Sequence, residues 1–356
     1  MNVKKLLLGL TLSLLLGNGA VVASNYHKGL KAYEADDFNT ALLEWIPLAE
    51  QGLAKAQHKL GYMYDVGEGV LENDKTAVKW YTQAAEQGLA KAQYNLAYMY
   101  NHGHGVAENH QAAVKWYRQA AEQGLAKAQY NLGYMYNHGY GVAENPYTAV
   151  KWITLAAEQE RAFAQYVLGL MYEAGRGVLE NPNTAVLWYT KAAEQGLAKA
   201  QYNLGYMYNN GYGVPQDNHT ASNWYTQAAK QGYAEAQYAL GYMYNNGYGV
   251  PENDKTAFNW YTKAAEQGNT DAQYGLGLLY QAQHSVFKDP VLAYMWFNLS
   301  ASSGHKLSIQ HKANMASTMT PVEISQAQEL SSLCLASKYT DCLPSTSLLE
   351  LLRRFF

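Results

Sequence analysis

Apolar and polar positions along the chain follow a helical spacing that restarts at a fixed step. In the stretch Ala90 to Val106, Ala92, Leu96, Met99 and Tyr100 fall three and four residues apart, which puts them on one stripe of a helix. Gly103 and Gly105 end that helix, because a glycine just past the last turn adopts the left-handed conformation without a Cβ penalty. A second helix is predicted with Ala113, Tyr117 and Ala120 on its buried stripe. Its start is marked by Asn or Asp, most plainly at Asn145-Pro146 and Asn181-Pro182, where an N-cap precedes a proline at the first helical position. Each unit therefore reads as two antiparallel helices.

The unit recurs at a period of 36. Gly52, Gly88, Gly124, Gly196, Gly232, Gly268 and Gly304 keep that step, or twice it where Glu160 replaces the expected glycine. Gln57, Gln93, Gln129, Gln165, Gln201, Gln237 and Gln273 keep it too, as do the tryptophans from Trp80 to Trp296. Such self-similarity is the mark of a solenoid, in which each unit buries its apolar face against its neighbours. Seven units are expected over 53–304. Position 97 is Ala, and its equivalents 61, 133, 169, 205, 241 and 277 are all Gly, so helices pack closely there. Residues 24–52 read as a capping hairpin with helices Tyr26 to Ala35 and Phe38 to Gln51, in which Trp45 falls one place off the tryptophan register. Residues 305–356 read as a C-terminal cap, with helices from His311 to Ser317 and from Val322 to Ala336. The unit 161–196 departs at Phe163, Leu170 and Glu173, and the last unit has Gln283 and Ser285 where loop glycines are expected.

The run Ala-x-Ala-Gln-Tyr-Asn-Leu-Gly-Tyr-Met-Tyr-Asn-x-Gly-x-Gly-Val, followed by Trp-Tyr-x-x-Ala-Ala-Glu-Gln-Gly, resembles the Sel-1-like repeat, a relative of the tetratricopeptide repeat. The resemblance covers about 53 to 304 and is specific because the motif recurs in register. It implies an all-α fold, a right-handed α-solenoid of stacked antiparallel helix pairs, whose members mostly act as adaptors or scaffolds for other proteins. Bacterial members are often exported.

Composition changes this picture at three points. The charge is nearly balanced, 26 Lys+Arg against 29 Asp+Glu, so nothing suggests the basic surface of a nucleic-acid binder. There are 32 Tyr, more than a core of this size needs, and tyrosine is rich at recognition surfaces. The N-terminus joins Lys4 and Lys5 to an apolar run from Leu6 to Leu16 and then to Val21-Val-Ala23, a signal peptide cut after Ala23. The mature chain is then periplasmic or secreted, without stable membrane insertion; an uncleaved anchor is the alternative. Cys334 and Cys342 are the sole cysteines, and in an exported protein a local disulfide is expected, with two free thiols as the alternative. The tail Ser345 to Phe356 is a candidate amphipathic helix.

No catalytic, metal or cofactor site is expected. The Gly-x-Gly loops follow no strand and precede no Lys-Ser/Thr, so they are helix ends rather than phosphate cradles. His102, His104 and His138 lie in or beside those loops without metal-site spacing. The candidate surface is the inner one, since the resemblance to tetratricopeptide arrays turns Lys91, Tyr94, Tyr98 and Asn101 to the concave side. Copies follow at Lys127, Tyr130, Tyr134 and Asn137; at Lys199, Tyr202, Tyr206 and Asn209; and at Glu235, Tyr238, Tyr242 and Asn245. If one tyrosine per unit only fills the gap between helices, the Tyr98 position is expected to do so ahead of the Tyr94 position. The expected function is binding of a protein or peptide with no chemical step. Two alternatives stand beside it. Cysteine-rich relatives include penicillin-binding proteins credited with weak β-lactamase activity, but they carry a disulfide in each repeat and residues 53–304 contain no cysteine. A cell-wall glycan binder would also use tyrosine faces.

Overall fold

The computed structural model describes residues 21–282, 287–339 and 342. The charged start and apolar run of the expected signal, the loop positions Gln283 and Ser285, and the tail from Ser345 all lie outside the described residues. Within them the chain forms helices and no strand, with adjacent helices paired and packed as a solenoid. It divides into two compact units, Met1–Met171 with Gly175–Leu179, and Tyr172–Ala174 with Glu180–Phe356.

In the first unit, α1 (helical over 21–34) and α2 (Phe38–Glu50) form the hairpin, broken by Asp36 at φ 58° and capped by Asp37. Three pairs follow: α3 (Ala54–Val66) with α4 (Asp74–Glu86), α5 (Ala90–His102) with α6 (His110–Glu122), and α7 (Ala126–His138) with α8 (Pro146–Glu158). Then comes α9 (Ala162–Ala174), whose last turn belongs to the second unit. Each second helix starts on an Asn: the side chains of Asn73, Asn109 and Asn145 accept from the backbone N–H three residues on, all at 2.9 Å. Each first helix ends on a left-handed glycine, as at Gly103, φ 71°.

The core is a stripe from each helix. Ala92, Leu96 and Met99 are buried with Ala113, Tyr117 and Ala120, while Tyr100 is half-buried. The small residue at position 97 and its equivalents has the expected cause. A Cβ added at Gly133 would sit 2.6 Å from Ile153 Cγ1, too close to be relieved without moving the neighbouring helix. Trp45 is fully buried, its indole N–H donating to the Tyr26 carbonyl at 3.1 Å. It stands one period before Tyr81, not Trp80, so its offset is explained: its ring lies over Gly29 of α1, where an added Cβ would meet it at 2.5 Å, as Tyr81 lies over Gly61, at 2.6 Å. Glu160 takes the place of a turn glycine at φ 59°, a conformation costly for a side chain with Cβ.

The periodic glutamines are buried and stitch repeats together. In the first unit the Gln93 amide donates back to the Ala85 carbonyl, at the end of the preceding pair, at 3.2 Å. Its carbonyl oxygen accepts from Gln123, which caps its own pair, at 2.8 Å. Gln57 and Gln129 repeat the arrangement with Ala49 and Gln87, and with Ala121 and Gln159. One side chain thus gives a second donor to a helix-end carbonyl that already accepts a turn N–H, as Ala85 does from Gly88 at 2.9 Å, and is itself satisfied.

The second unit holds α10 (Pro182–Glu194), then α11 (Ala198–Asn210) with α12 (Asn218–Lys230), α13 (Ala234–Asn246) with α14 (Asp254–Ala265), and α15 (Thr270–Gln281) with α16 (Pro290–Ser302). Gln201 and Gln237 repeat the stitch. Gln273 keeps only the donating half, to Ala265 at 3.5 Å. Ser303 stands where its capping glutamine would be, and Gln273 Oε1 has no hydrogen-bond partner among the described residues. The closing helices are α17 (Lys306–Ala316) and α18 (Pro321–Ala336). The expected start at His311 is corrected: α17 begins at Lys306, because the His305 side chain caps it by accepting from Ser308 N–H at 3.2 Å. α18 opens as expected, with Thr320 and Glu323 forming a capping box. Both pack on α16, so Trp296 is fully buried where Trp80 and Trp116 are half-buried. Cys334 and Cys342 form a disulfide with Cα atoms 4.4 Å apart.

Candidate interaction face

On α5 and α7 the residues marked in the sequence fall into two rows of different depth. Tyr98 and Tyr134 are exposed, at 40% and 43%. Tyr94 and Tyr130 are half-buried one turn earlier. Tyr94 packs on Tyr117 of α6, ring centroids 5.7 Å apart, and Tyr130 meets Phe163 edge-on at 5.5 Å. Burial pushes the Tyr130 phenol up to about 12, with Tyr134 adding a smaller push. The expected order of the two rows is therefore reversed. The Tyr94 position fills the gap between helices, and the Tyr98 position is presented to solvent.

Lys91 and Lys127 are exposed, whereas Asn101 and Asn137 already have partners within the first unit. Asn101 bonds the rings of His102 and His110, both at 3.2 Å, and Arg176 takes both the Oδ1 and the carbonyl of Asn137 at 2.7 Å. Arg176 also pairs with Glu144 at 2.9 Å. Tyr94, Tyr98, Asn101, Tyr130 and Tyr134 nevertheless line one cleft of about 320 Å³ with Asn131.

Residues not singled out as binding positions extend this surface. The Tyr98 ring lies 4.3 Å from His102 and 5.8 Å from His104, and Tyr134 lies 4.3 Å from His138 and 6.0 Å from Tyr140. Helix end and loop thus brace each exposed tyrosine with a second aromatic. The sequence carried the signal: Tyr140, Tyr212 and Tyr248 occupy the middle of Gly-x-Gly in the same 36-residue register.

The second unit has the same two rows. Tyr206 and Tyr242 are exposed at 40% and 45% and lie 6.0 and 5.8 Å from Tyr212 and Tyr248. Tyr202 and Tyr238 are half-buried against Tyr225 and Tyr261 at 5.6 and 5.9 Å, and burial holds Tyr238 up at about 12. Lys199 and Glu235 are exposed, and Asn209 and Asn245 are half-buried. Among the described residues no group of three or more His, Cys, Asp or Glu could hold a metal ion, and no helix is long and apolar enough to cross a membrane.

The family model described as Sel1 repeat matches seven successive stretches, 54–89, 90–125, 126–160, 162–197, 198–233, 234–269 and 270–305. Among solved structures, the chain is similar to c5321, a protective antigen present in uropathogenic Escherichia coli strains displaying an SLR fold. The identity is 34% and the TM-score 0.82, over 89% of this chain and 70% of that one. It is also similar to a Sel1 repeat protein from Oxalobacter formigenes, at 38% identity and TM-score 0.61, over 67% of this chain and 96% of that one. No curated protein matches the chain significantly.

Proposed function

This chain belongs to the Sel1 repeat family, and from that premise we propose that it is an exported scaffold that binds a protein or peptide through the tyrosines of its first helices, without a catalytic step. The observation that carries the reading is the exposed row, Tyr98 and Tyr134 in one unit and Tyr206 and Tyr242 in the other, each braced by a loop aromatic. A tyrosine fixed in this way offers a large apolar ring at little cost in conformational entropy and keeps its hydroxyl for a backbone partner. Fixed aromatics of this kind are the anchors that dominate protein interfaces. The half-buried row serves as their support. On this reading residues 1–23 are a signal removed after Ala23, 24–52 and 305–356 cap the array, and 53–304 are the binding repeats. The similarity to a protective antigen of uropathogenic Escherichia coli is in keeping with an exported protein.

The test is affinity capture from envelope and culture-supernatant fractions, with wild type compared against the quadruple variant Tyr98→Ser, Tyr134→Ser, Tyr206→Ser, Tyr242→Ser. Proteins retained by wild type alone support the reading. Equal retention by both, with both correctly folded by circular dichroism, overturns it. Mass measurement of the mature protein from the same fractions tests cleavage after Ala23.

A further inference from the structure

A second cleft in the first unit, about 640 Å³, has a different chemistry. Lys55 and Lys59 of α3 and Lys91 of α5 line it with His58 and Tyr26, and no Asp or Glu is among its lining residues. Lys55 and Lys91 are exposed and take part in no ion pair among the described residues. Lys59 is half-buried, its ammonium 4.8 Å from the centre of the Tyr33 ring and 5.6 Å from that of Trp45. Glu34 and Glu68 are the acids within electrostatic reach of it. They do not balance the cleft, because burial and then Lys91 hold the Lys59 ammonium below its ordinary range. Like charges held together in this way are relieved by an anion.

The floor suits a chain rather than a point ion. The backbone at Gly88 and Gly124 forms part of it, and a Cβ added at either would meet nothing within 4 Å. Leu89 and Leu125 add apolar surface beside that open backbone. The volume lies in the range of ordinary ligand clefts, roughly 300–1,000 Å³. The second residue of each first helix is Lys55, Lys91, Lys127 and then Phe163 in the first unit, and Lys199, Glu235 and Asp271 in the second. A cationic cleft of this kind is thus a property of the first unit and not of the repeat as such.

We propose that this cleft receives an acidic peptide segment, with its carboxylates held by Lys55 and Lys91 and its backbone passing over Gly88 and Gly124. The assignment goes beyond the tyrosine reading and does not depend on it, since none of the exposed tyrosine row lines the cleft. Charge complementarity selects the occupant, and Lys59 adds to the field from below without leaving its place over Tyr33.

Fluorescence anisotropy with a labelled hexaglutamate peptide tests the assignment, using full-length protein at low salt and at ~0.15 M salt. Wild type and the control K115Q/K151Q, which loses the same charge from exposed lysines elsewhere, bind the peptide. K55Q/K91Q binds it about tenfold more weakly, a change of about 1.4 kcal/mol. K55R/K91R restores binding, and the Tyr98→Ser/Tyr134→Ser variant binds like wild type, so failure here is separable from failure of the tyrosine face. Circular dichroism confirms that K55Q/K91Q is folded, as two exposed side chains require. Equal affinity for K55Q/K91Q and the control, equal binding of hexalysine, or no binding even at low salt overturns the proposal.

Discussion

The two units share an interior and differ at the surface. Buried alanines, a minimal residue facing a large ring and a glutamine stitch recur in both. The exposed tyrosines recur as well, but the positions around them do not. The first unit surrounds its exposed tyrosines with His102, His104 and His138 and carries lysines in the first turns of its helices. The second has Asn210 and Asn246 in the histidine positions and brings in Glu235 and Asp271. The lesson is that the period fixes what packs and repeats the exposed tyrosine row, while the surroundings of that row vary, so a difference in what the two units recognise is to be sought where the copies disagree.

That comparison can be broken most forcefully from the inside. Gln129→Leu in the first unit and Gln237→Leu in the second should each lose about 2–3 kcal/mol in urea unfolding, since each removes two hydrogen bonds at a buried seam, one to a helix-end carbonyl and one from a capping glutamine. Markedly unequal losses would show that the interiors are not equivalent. Next, Tyr130→Ala and Tyr202→Ala should cost about 2 kcal/mol each, as large-to-small changes at half-buried rings. A third test belongs to the first unit alone. Burial, helped by Lys59 and Lys91, pushes His58 down to about 4, well below an ordinary imidazole at 6.5. The folded state therefore favours neutral His58. Its contribution is complete above pH 6.5 and is lost as pH falls toward 4, where the unfolded chain binds the extra proton. Stability measured across that window should fall, and His58→Gln should flatten the fall. Glu160→Gly, again in the first unit, should add up to about 1 kcal/mol by relieving a left-handed side-chain residue, read as a higher Tm. Smallest of all, Tyr134→Ala and Tyr242→Ala should change stability by under about 0.5 kcal/mol, because the rings are exposed.

Much of this was legible in the chain. Asn109, Asn145 and the glycines after each first helix announced the helix boundaries, because caps are local chemistry and need no neighbour. The small residue at position 97 and its equivalents announced close packing for the same reason. The depth of the two tyrosine rows was not legible. Helical spacing puts Tyr94 and Tyr98 on one face but cannot tell which of them Tyr117 covers. The glutamines were conspicuous as a period yet mute as to role, since their partners lie eight residues back and thirty ahead, across two turns of chain whose geometry only the packed repeat sets. Trp45 was visible as an irregularity, and its explanation required knowing that its ring covers Gly29 as Tyr81 covers Gly61. For the lysine cleft, each lysine was visible singly, while the absence of any acid between them is a fact of three dimensions.

The end of the glutamine stitch has a consequence for how such a chain can lengthen. A duplication of residues 233–268 would insert a module carrying both halves of its own seam, Gln237 and Gln267, and a neighbour could accept it at once. A duplication of 269–304 would copy Ser303 and with it an oxygen that nothing answers. The next position in that register, Ile309, offers no amide to continue the seam. Growth by copying is therefore open in the interior and closed at the final module, so the array carries its own terminator in the two residues that decline to be glutamine.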